Sequence, residues 1–365
     1  MPWIKLEGEL ELPVAPPAAF GAYDVNIEVA AVDGKLVKQL TESVLYLPAN
    51  TSQYKTTSGF GSHYHAINDA LVDYLGIYWW RNHDLYGRWN NYVDNQGNVS
   101  FKTLDERLAF VKKNQVRECS VFLGAPLKYS TIFPTEAAAS NLDEVYSLYT
   151  PADFEAWKSQ YIKTVVEKVK TASPFRAYEV WNEAWSYFRL RGLRGTPGEA
   201  MQLFRESYQY TKSLDPESLV YPTDTKPESV SNPYGFRNFG PDMMQLGMLR
   251  WADLFSFHTY GPMTQDKMSA FRRTMWDFGR DMDMWSTETA VEGSPYFELM
   301  ESLCAHKSGG CSKIFIYSGN LWAPLYLNGK PTMNLAVMAA LLGNLGDALP
   351  VGVYYFDRFR LYTYV

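Results

Sequence analysis

The chain has 365 residues, 46% of them hydrophobic, which is enough to bury a large core in one main domain with a smaller one beside it. Its formal charge of -6 comes without a basic stretch, which excludes the electrostatic footprint of a nucleic-acid or anionic-lipid partner. No apolar run approaches the ~20 residues of a membrane span, so a membrane is not expected as a partner either.

In chain order, Leu6 to Leu12, Tyr23 to Ala31 and Glu42 to Leu47 alternate polar and apolar residues, the period of half-buried strands. Pro13, Pro16 and Pro17 separate the first from the second. From about Thr57 to Asp347 the pattern becomes one of strand-like runs alternating with amphipathic helices. Eight runs can be placed, at Thr57 to Gly61, Gly76 to Arg81, Glu118 to Gly124, Ala177 to Glu183, Leu219 to Asp224, Leu254 to His258, Asp283 to Glu288 and Lys313 to Ser318. Helical patterns at Leu104 to Asn114, Pro151 to Ala172, Pro197 to Leu214 and Ser294 to Lys307 lie between them. Eight such units predict an α/β chain folded as a (β/α)8 TIM barrel. Val351 to Val365 is strand-like again. The expected organisation is an accessory β segment over 1–52, a barrel over 53–348, and C-terminal strands over 349–365 that join the accessory segment.

Long segments rich in Asn, Gly, Pro, Tyr and Trp follow several of the runs, whereas returns from helix to strand are short. Long loops belong to the binding face. Cys119, Cys304 and Cys311 have no close metal-ligand spacing, so zinc is not suggested. Cys304 and Cys311 could meet in a disulfide, and each is also readable as a buried thiol. Met1-Pro2-Trp3 lacks the charged and apolar regions of a secretion signal. The compartment stays open, with a secreted or periplasmic one favoured if a signal was removed upstream.

Two acids stand at functional positions. Glu183, in Trp181-Asn182-Glu183, and Glu288, in Trp285-Ser286-Thr287-Glu288, each sit where an apolar run stops and a polar loop begins. In a parallel barrel the strand carboxyl ends share one face, so these two carboxylates can meet although 105 residues separate them. The Asn-Glu pair closing the fourth run and the Glu closing the seventh resemble those of the clan A retaining glycoside hydrolases. This barrel superfamily includes many cellulases, xylanases and mannanases.

That resemblance spans about Thr57 to Trp322. It implies that Glu183 is the acid/base, Glu288 the nucleophile, and Arg81 and Tyr260 the groups that keep Glu288 ionised. It further implies that Asn182 bonds the sugar 2-hydroxyl and that Trp322 forms a platform under the sugar. His258 is either part of the same site or structural. The 16% aromatic content suits sugar faces as well as a core. Trp79, Trp80, Trp89 and Trp185 are each readable as subsite or core. A retaining mechanism needs one protonated and one ionised carboxyl about 5 to 5.5 Å apart, and no cofactor.

The substrate expected is therefore a polysaccharide or oligosaccharide with β-glycosidic bonds. Ala184 stands where the clan often has Pro, and Arg81-Asn82-His83-Asp84 does not select one family. Glu179 falls deeper in the barrel, where a charge would be structural. Glu292 would replace Glu288 only if the seventh strand ran longer. Two alternatives remain open: a carbohydrate-binding barrel without catalysis, and a metal-dependent amidohydrolase built on His63 and His65. With five histidines in the chain, His306 among them on an expected surface helix, a metal is not expected and a sugar-shaping role suits His63 or His65 better.

Overall fold

The computed structural model describes residues 21–47, 49, 51, 58–63, 69–83, 88–94, 96–126, 129–130, 149–186, 193–223, 225, 239–261, 263–292, 296–318, 324–327, 330–355 and 360–364. Two strands, β1 (Gly21–Ala30) and β2 (Leu36–Tyr46), form an antiparallel hairpin turned by Asp33-Gly34, where Gly34 takes φ 82°. The run Leu6 to Leu12 lies outside the described residues. The second strand starts earlier than its alternation suggests, because the adjacent apolar pair Leu36-Val37 interrupts the period-two pattern.

The barrel strands are β3 (Phe60–His63), β4 (Trp79–Asn82), β5 (Arg117–Phe122), β6 (Arg176–Val180), β7 (Leu219–Pro222), β8 (Phe255–Tyr260), β9 (Met284–Ala290) and β10 (Cys311–Ile316). They form one parallel sheet in the order β7-β6-β5-β4-β3-β10-β9-β8. Its two edges meet through Asp253 N to Val220 O at 2.8 Å and Thr225 N to Ser256 O at 2.8 Å, so the ring is nearly closed. The expected (β/α)8 barrel is the observed fold.

Helices alternate with these strands. Lys102–Asn114 follows β4, and a helix over 154–172 with a π-helical stretch at Trp157–Ile162 follows β5. Pro197–Leu214 follows β6, opened by a capping box in which Thr196 and Glu199 satisfy each other's backbone N–H groups. Gln265–Asp277 and Tyr296–Ser308 follow β8 and β9. Beyond β10 come the short hairpin of β11 (Tyr326–Leu327) and β12 (Lys330–Pro331), the helix Met333–Leu345, and the hairpin of β13 (Pro350–Tyr355) and β14 (Arg360–Tyr364). The last hairpin packs on the helix Tyr296–Ser308, where the Tyr364 hydroxyl donates to Cys304 O at 3.0 Å.

The barrel interior is layered by strand parity, because side chains two residues apart share a face. Its floor is an apolar plug of Trp79, Cys119, Ala177, Tyr221, Leu254, Trp285 and Phe315. Trp79 meets Trp285 edge-on at 5.3 Å and Phe315 at 6.5 Å. The plug leaves no space for a side chain at Gly61, where a Cβ would stand 2.8 Å from both Phe315 Cδ1 and Trp79 O. That glycine weakens the local strand signal and accounts for the first run being read three residues early. Two positions above Trp79 and Ala177, the same faces carry Arg81 and Glu179, and the interior turns from apolar to ionic.

Candidate active site

Arg81 is fully buried and uses all three of its guanidinium nitrogens. Nε donates to Glu179 Oε2 at 2.7 Å, Nη1 to Glu288 Oε2 at 3.0 Å and Nη2 to Asn182 Oδ1 at 2.6 Å. Burial alone would lower the Arg81 pKa, but the charges of Glu179 and Glu288 hold it well above its ordinary value. The guanidinium is thus a fixed cation at the pocket floor. Glu179, fully buried, is its permanent counter-ion and also accepts from the Tyr221 hydroxyl at 3.4 Å.

The next layer brings the two acids together. Carboxylate oxygens of Glu183 and Glu288 and a ring nitrogen of His258 all lie within 4.8 Å of one another. His258 Nδ1 is 3.2 Å from Glu183 Oε1 and 3.7 Å from Glu288 Oε2, so the imidazole sits between the acids. His63 Nε2 approaches Glu288 Oε2 at 3.9 Å. Both glutamates are buried, whereas Glu292 is exposed and lies beyond the end of β9.

Glu183 reaches this position by an unusual backbone path. β6 ends at Val180, after which Trp181 takes φ 77° and Glu183 φ 44°. Side chains other than glycine seldom occupy this left-handed region, and each instance costs on the order of 1–3 kcal/mol. The turn is held by Trp181 N to Phe122 O at 2.7 Å, Ala184 N to Thr223 Oγ1 at 3.1 Å and Ser186 N to Glu183 O at 2.8 Å. Asn182 points its Oδ1 at Arg81, which leaves its amide N–H groups as the donors available to a ligand.

Around Glu288 the wall is aromatic. His63 meets His83 edge-on at 5.6 Å and Tyr317 at 5.1 Å, and Tyr317 meets Tyr260 at 6.3 Å. Tyr260 ends β8 and is half-buried. The sequence reading did not single out His83 or Tyr317, although each lies two positions past an inward residue, Arg81 or Phe315, and that parity was the available signal. Trp185 is half-buried against the core just after Glu183. Trp322 and His65 lie outside the described residues.

Three tryptophans weighed as subsites are core instead. Trp79 belongs to the barrel plug, Trp80 stacks on Phe110 of an outer helix at 4.7 Å, and Trp89 is buried against Tyr129, Trp157 and Tyr161. His306 is also corrected: it is fully buried, not on a surface face. Cys119, Cys304 and Cys311 are all free thiols.

Among the described residues, two sets of groups have donor spacing that a metal could use, His63, His83 and Glu288, and Glu183, His258 and Glu288. Both share Glu288, whose charge is already met by Arg81 at 3.0 Å, so a cation would compete with the guanidinium.

A barrel of eight parallel strands, with two carboxylates converging at the strand carboxyl ends over a buried arginine, has the architecture of barrel glycoside hydrolases. The likeness to solved structures is one of fold. The chain is similar to a family 39 glycoside hydrolase from the gut symbiont Bacteroides cellulosilyticus WH2, at 14% identity and TM-score 0.69, over 94% of this chain and 75% of that one. It is similar to a glucosidase from Croceicoccus marinus, at 12% identity and TM-score 0.56, over 79% of this chain and 67% of that one. GH5_18 from Bifidobacterium longum subsp. longum gives 12% identity and TM-score 0.56, over 81% of each chain. The family 39 and GH5 proteins among these neighbours belong to clan A, consistent with the resemblance stated from the sequence, and at such identities the likeness is one of fold. No protein-family model and no curated protein matches the sequence.

Proposed function

We propose that the chain hydrolyses β-glycosidic bonds in a polysaccharide or oligosaccharide with retention of anomeric configuration, Glu288 acting as nucleophile and Glu183 as acid/base. The observation that carries this reading is the approach of the two carboxylates to within 4.8 Å, with Arg81 3.0 Å from Glu288. Carboxyl groups this near leave no room for the water that inversion places between the base carboxylate and the anomeric carbon, and suit direct attack. The barrel glycosidase neighbours, a glucosidase among them, support the same chemistry.

In the first step a Glu288 oxygen attacks the anomeric carbon as the bond to the leaving oxygen breaks, and Glu183 gives that oxygen its proton. Arg81 favours the ionised form of Glu288 from 3.0 Å. Asn182, fixed by Arg81, offers an amide N–H to the sugar 2-hydroxyl, a bond that strengthens in the transition state. In the second step Glu183 takes a proton from water, whose oxygen displaces Glu288 from the anomeric carbon. His258 orients Glu183, Tyr260 joins Arg81 in keeping Glu288 ionised, and Trp185, Trp322 and His63 contact sugar. No cofactor enters this scheme. The segments 1–52 and 349–365 serve as accessory β elements flanking the barrel 53–348.

The test is proton NMR of the first-formed product from a panel of β-glucans, xylans, mannans and galactans. The β-anomer should appear before mutarotation, and Glu183→Gln and Glu288→Gln should each remove turnover by at least about 100-fold. Binding without turnover in the parent chain would instead identify a carbohydrate-binding barrel. A first-formed α-anomer would refute retention.

A further inference from the structure

His306 lies outside the pocket, on the helix Tyr296–Ser308 that follows β9, yet it is tied to the strand that carries His258. Its ring is fully buried and lies parallel to Phe257 of β8, with centroids 6.0 Å apart and planes 5° apart. Nδ1 is 2.7 Å from Ser302 O, a carbonyl that can only accept, so Nδ1 carries the ring proton. Nε2 of the neutral ring is then an acceptor, and Thr259 Oγ1 stands 2.8 Å from it as donor. Burial pushes the His306 pKa down to about 4, against a smaller upward effect of the Ser302 bond, so this donor–acceptor pattern persists at neutral pH.

Thr259 is the residue between His258 and Tyr260. Along a strand successive side chains alternate faces, so Thr259 points outward to the helix while its neighbours point into the barrel. The pairing of β8 with β9 shifts register between Phe257 and His258, because β9 carries an extra residue between Ser286 and Glu288, so the ladder is interrupted beside His258. Thr259 Oγ1 is also 3.4 Å from Thr289 Oγ1, on the residue after Glu288. The hydroxyl therefore joins three elements at one point: the end of β8, the end of β9 and the helix behind them.

We infer that His306 is a positioning residue that, by accepting from Thr259, fixes the end of β8 beside the β9 bulge and so sets the His258 ring between Glu183 and Glu288. This rests on the two-glutamate reading for its kinetic consequence, but its structural half does not.

Two substitutions separate the bonds. Thr259→Val removes the hydroxyl and keeps the branched shape. His306→Asn keeps a donor near the Nδ1 position for Ser302 O but no longer reaches Thr259, while His306→Gln carries an acceptor to about the Nε2 position. Nitrogen-15 NMR of the imidazole rings should find His306 protonated on Nδ1 in the parent, and Thr259→Val should move the His258 ring signals as well as those of His306. Unchanged His258 signals in a folded Thr259→Val protein would overturn the inference, with or without a known substrate.

On any glycoside that the parent hydrolyses, Thr259→Val and His306→Asn should each lower kcat about tenfold with KM nearly constant. The double variant should be no worse than the poorer single one, and His306→Gln should recover most of the loss. Additive losses, or no rescue by Gln, would likewise overturn it. Should the parent hydrolyse no glycoside, the hydrolase reading fails while the NMR result still decides the role of His306.

Discussion

The Arg81 guanidinium has no exposed surface, and its three nitrogens go to three partners that otherwise have little reason to meet: Glu179 on β6, Asn182 in the turn beyond it, and Glu288 on β9. Removing one member of a buried ionic network strands the others, which typically costs 3–5 kcal/mol. Arg81→Met is accordingly expected to lower stability in urea unfolding by about that amount and to abolish activity. Arg81→Lys keeps the charge but not the fork, so it should retain more stability than Arg81→Met while still losing most of kcat. Equal stability of the two variants would show that the charge is not what matters there.

The sequence singled out Glu183 and Glu288 because charged residues at the ends of apolar runs are costly unless used, whereas Arg81 came only with the family resemblance; the structure brings the three side chains together. His306 was not readable. Its helix, Tyr296–Ser308, mixes polar and apolar residues with little facial separation, and its burial comes from Phe257 and the surrounding barrel wall. Its low pKa also makes a prediction. Between pH 6.5 and about 4 the unfolded chain binds a proton on this ring that the folded chain does not, so stability falls as pH drops through that window and levels below it. The loss should reach roughly 3 kcal/mol in urea titrations of the parent and be absent from the corresponding difference in His306→Gln. Equal acid sensitivity of the two proteins would contradict this.

At the level of elements, the helix Pro197–Leu214 was placed to the residue because its start is written in the chain: Thr196 at the N-cap, Pro197 at the first turn and Glu199 closing the box. Thr196→Ala should cost about 1 kcal/mol in thermal or urea unfolding and leave kcat unchanged, since the cap's bonds with Glu199 stay within the first turn of the helix. A change in kcat would mean that the loop after β6 depends on the cap. The turn at Trp181-Asn182-Glu183 shows the converse. An aromatic and an acidic residue at positive φ give no local sequence signal, and the bonds to Phe122 at the end of β5 and to Thr223 just past β7 help to hold that turn. Sequence reading therefore carried the strand on through Glu183, three residues past its end at Val180.

Over the whole molecule, the barrel interior rises from the Trp79, Trp285 and Phe315 plug through the Arg81–Glu179 ion pair to the paired carboxylates. Periodicity revealed the eight strands, because parallel strands buried on both faces read as short apolar runs between amphipathic helices. It could not reveal which tryptophans fill the core, since a ring packed under a helix and a ring beneath a sugar are the same residue in sequence; Trp80 and Trp89 proved to be the former.

What the layered interior is proposed to deliver is one nucleophilic oxygen, on Glu288. The most direct measurement is mass-spectrometric mapping of the residue esterified when the protein is treated with a panel of 2-deoxy-2-fluoro-β-glycosyl fluorides, whose fluorine slows release of the covalent intermediate. A single sugar ester on the peptide containing Glu288, lost in Glu288→Gln and kept in Glu183→Gln, is the predicted result. A label on Glu183 or another acid, or turnover of β-glycosides with no residue labelled by any member of the panel, would contradict it.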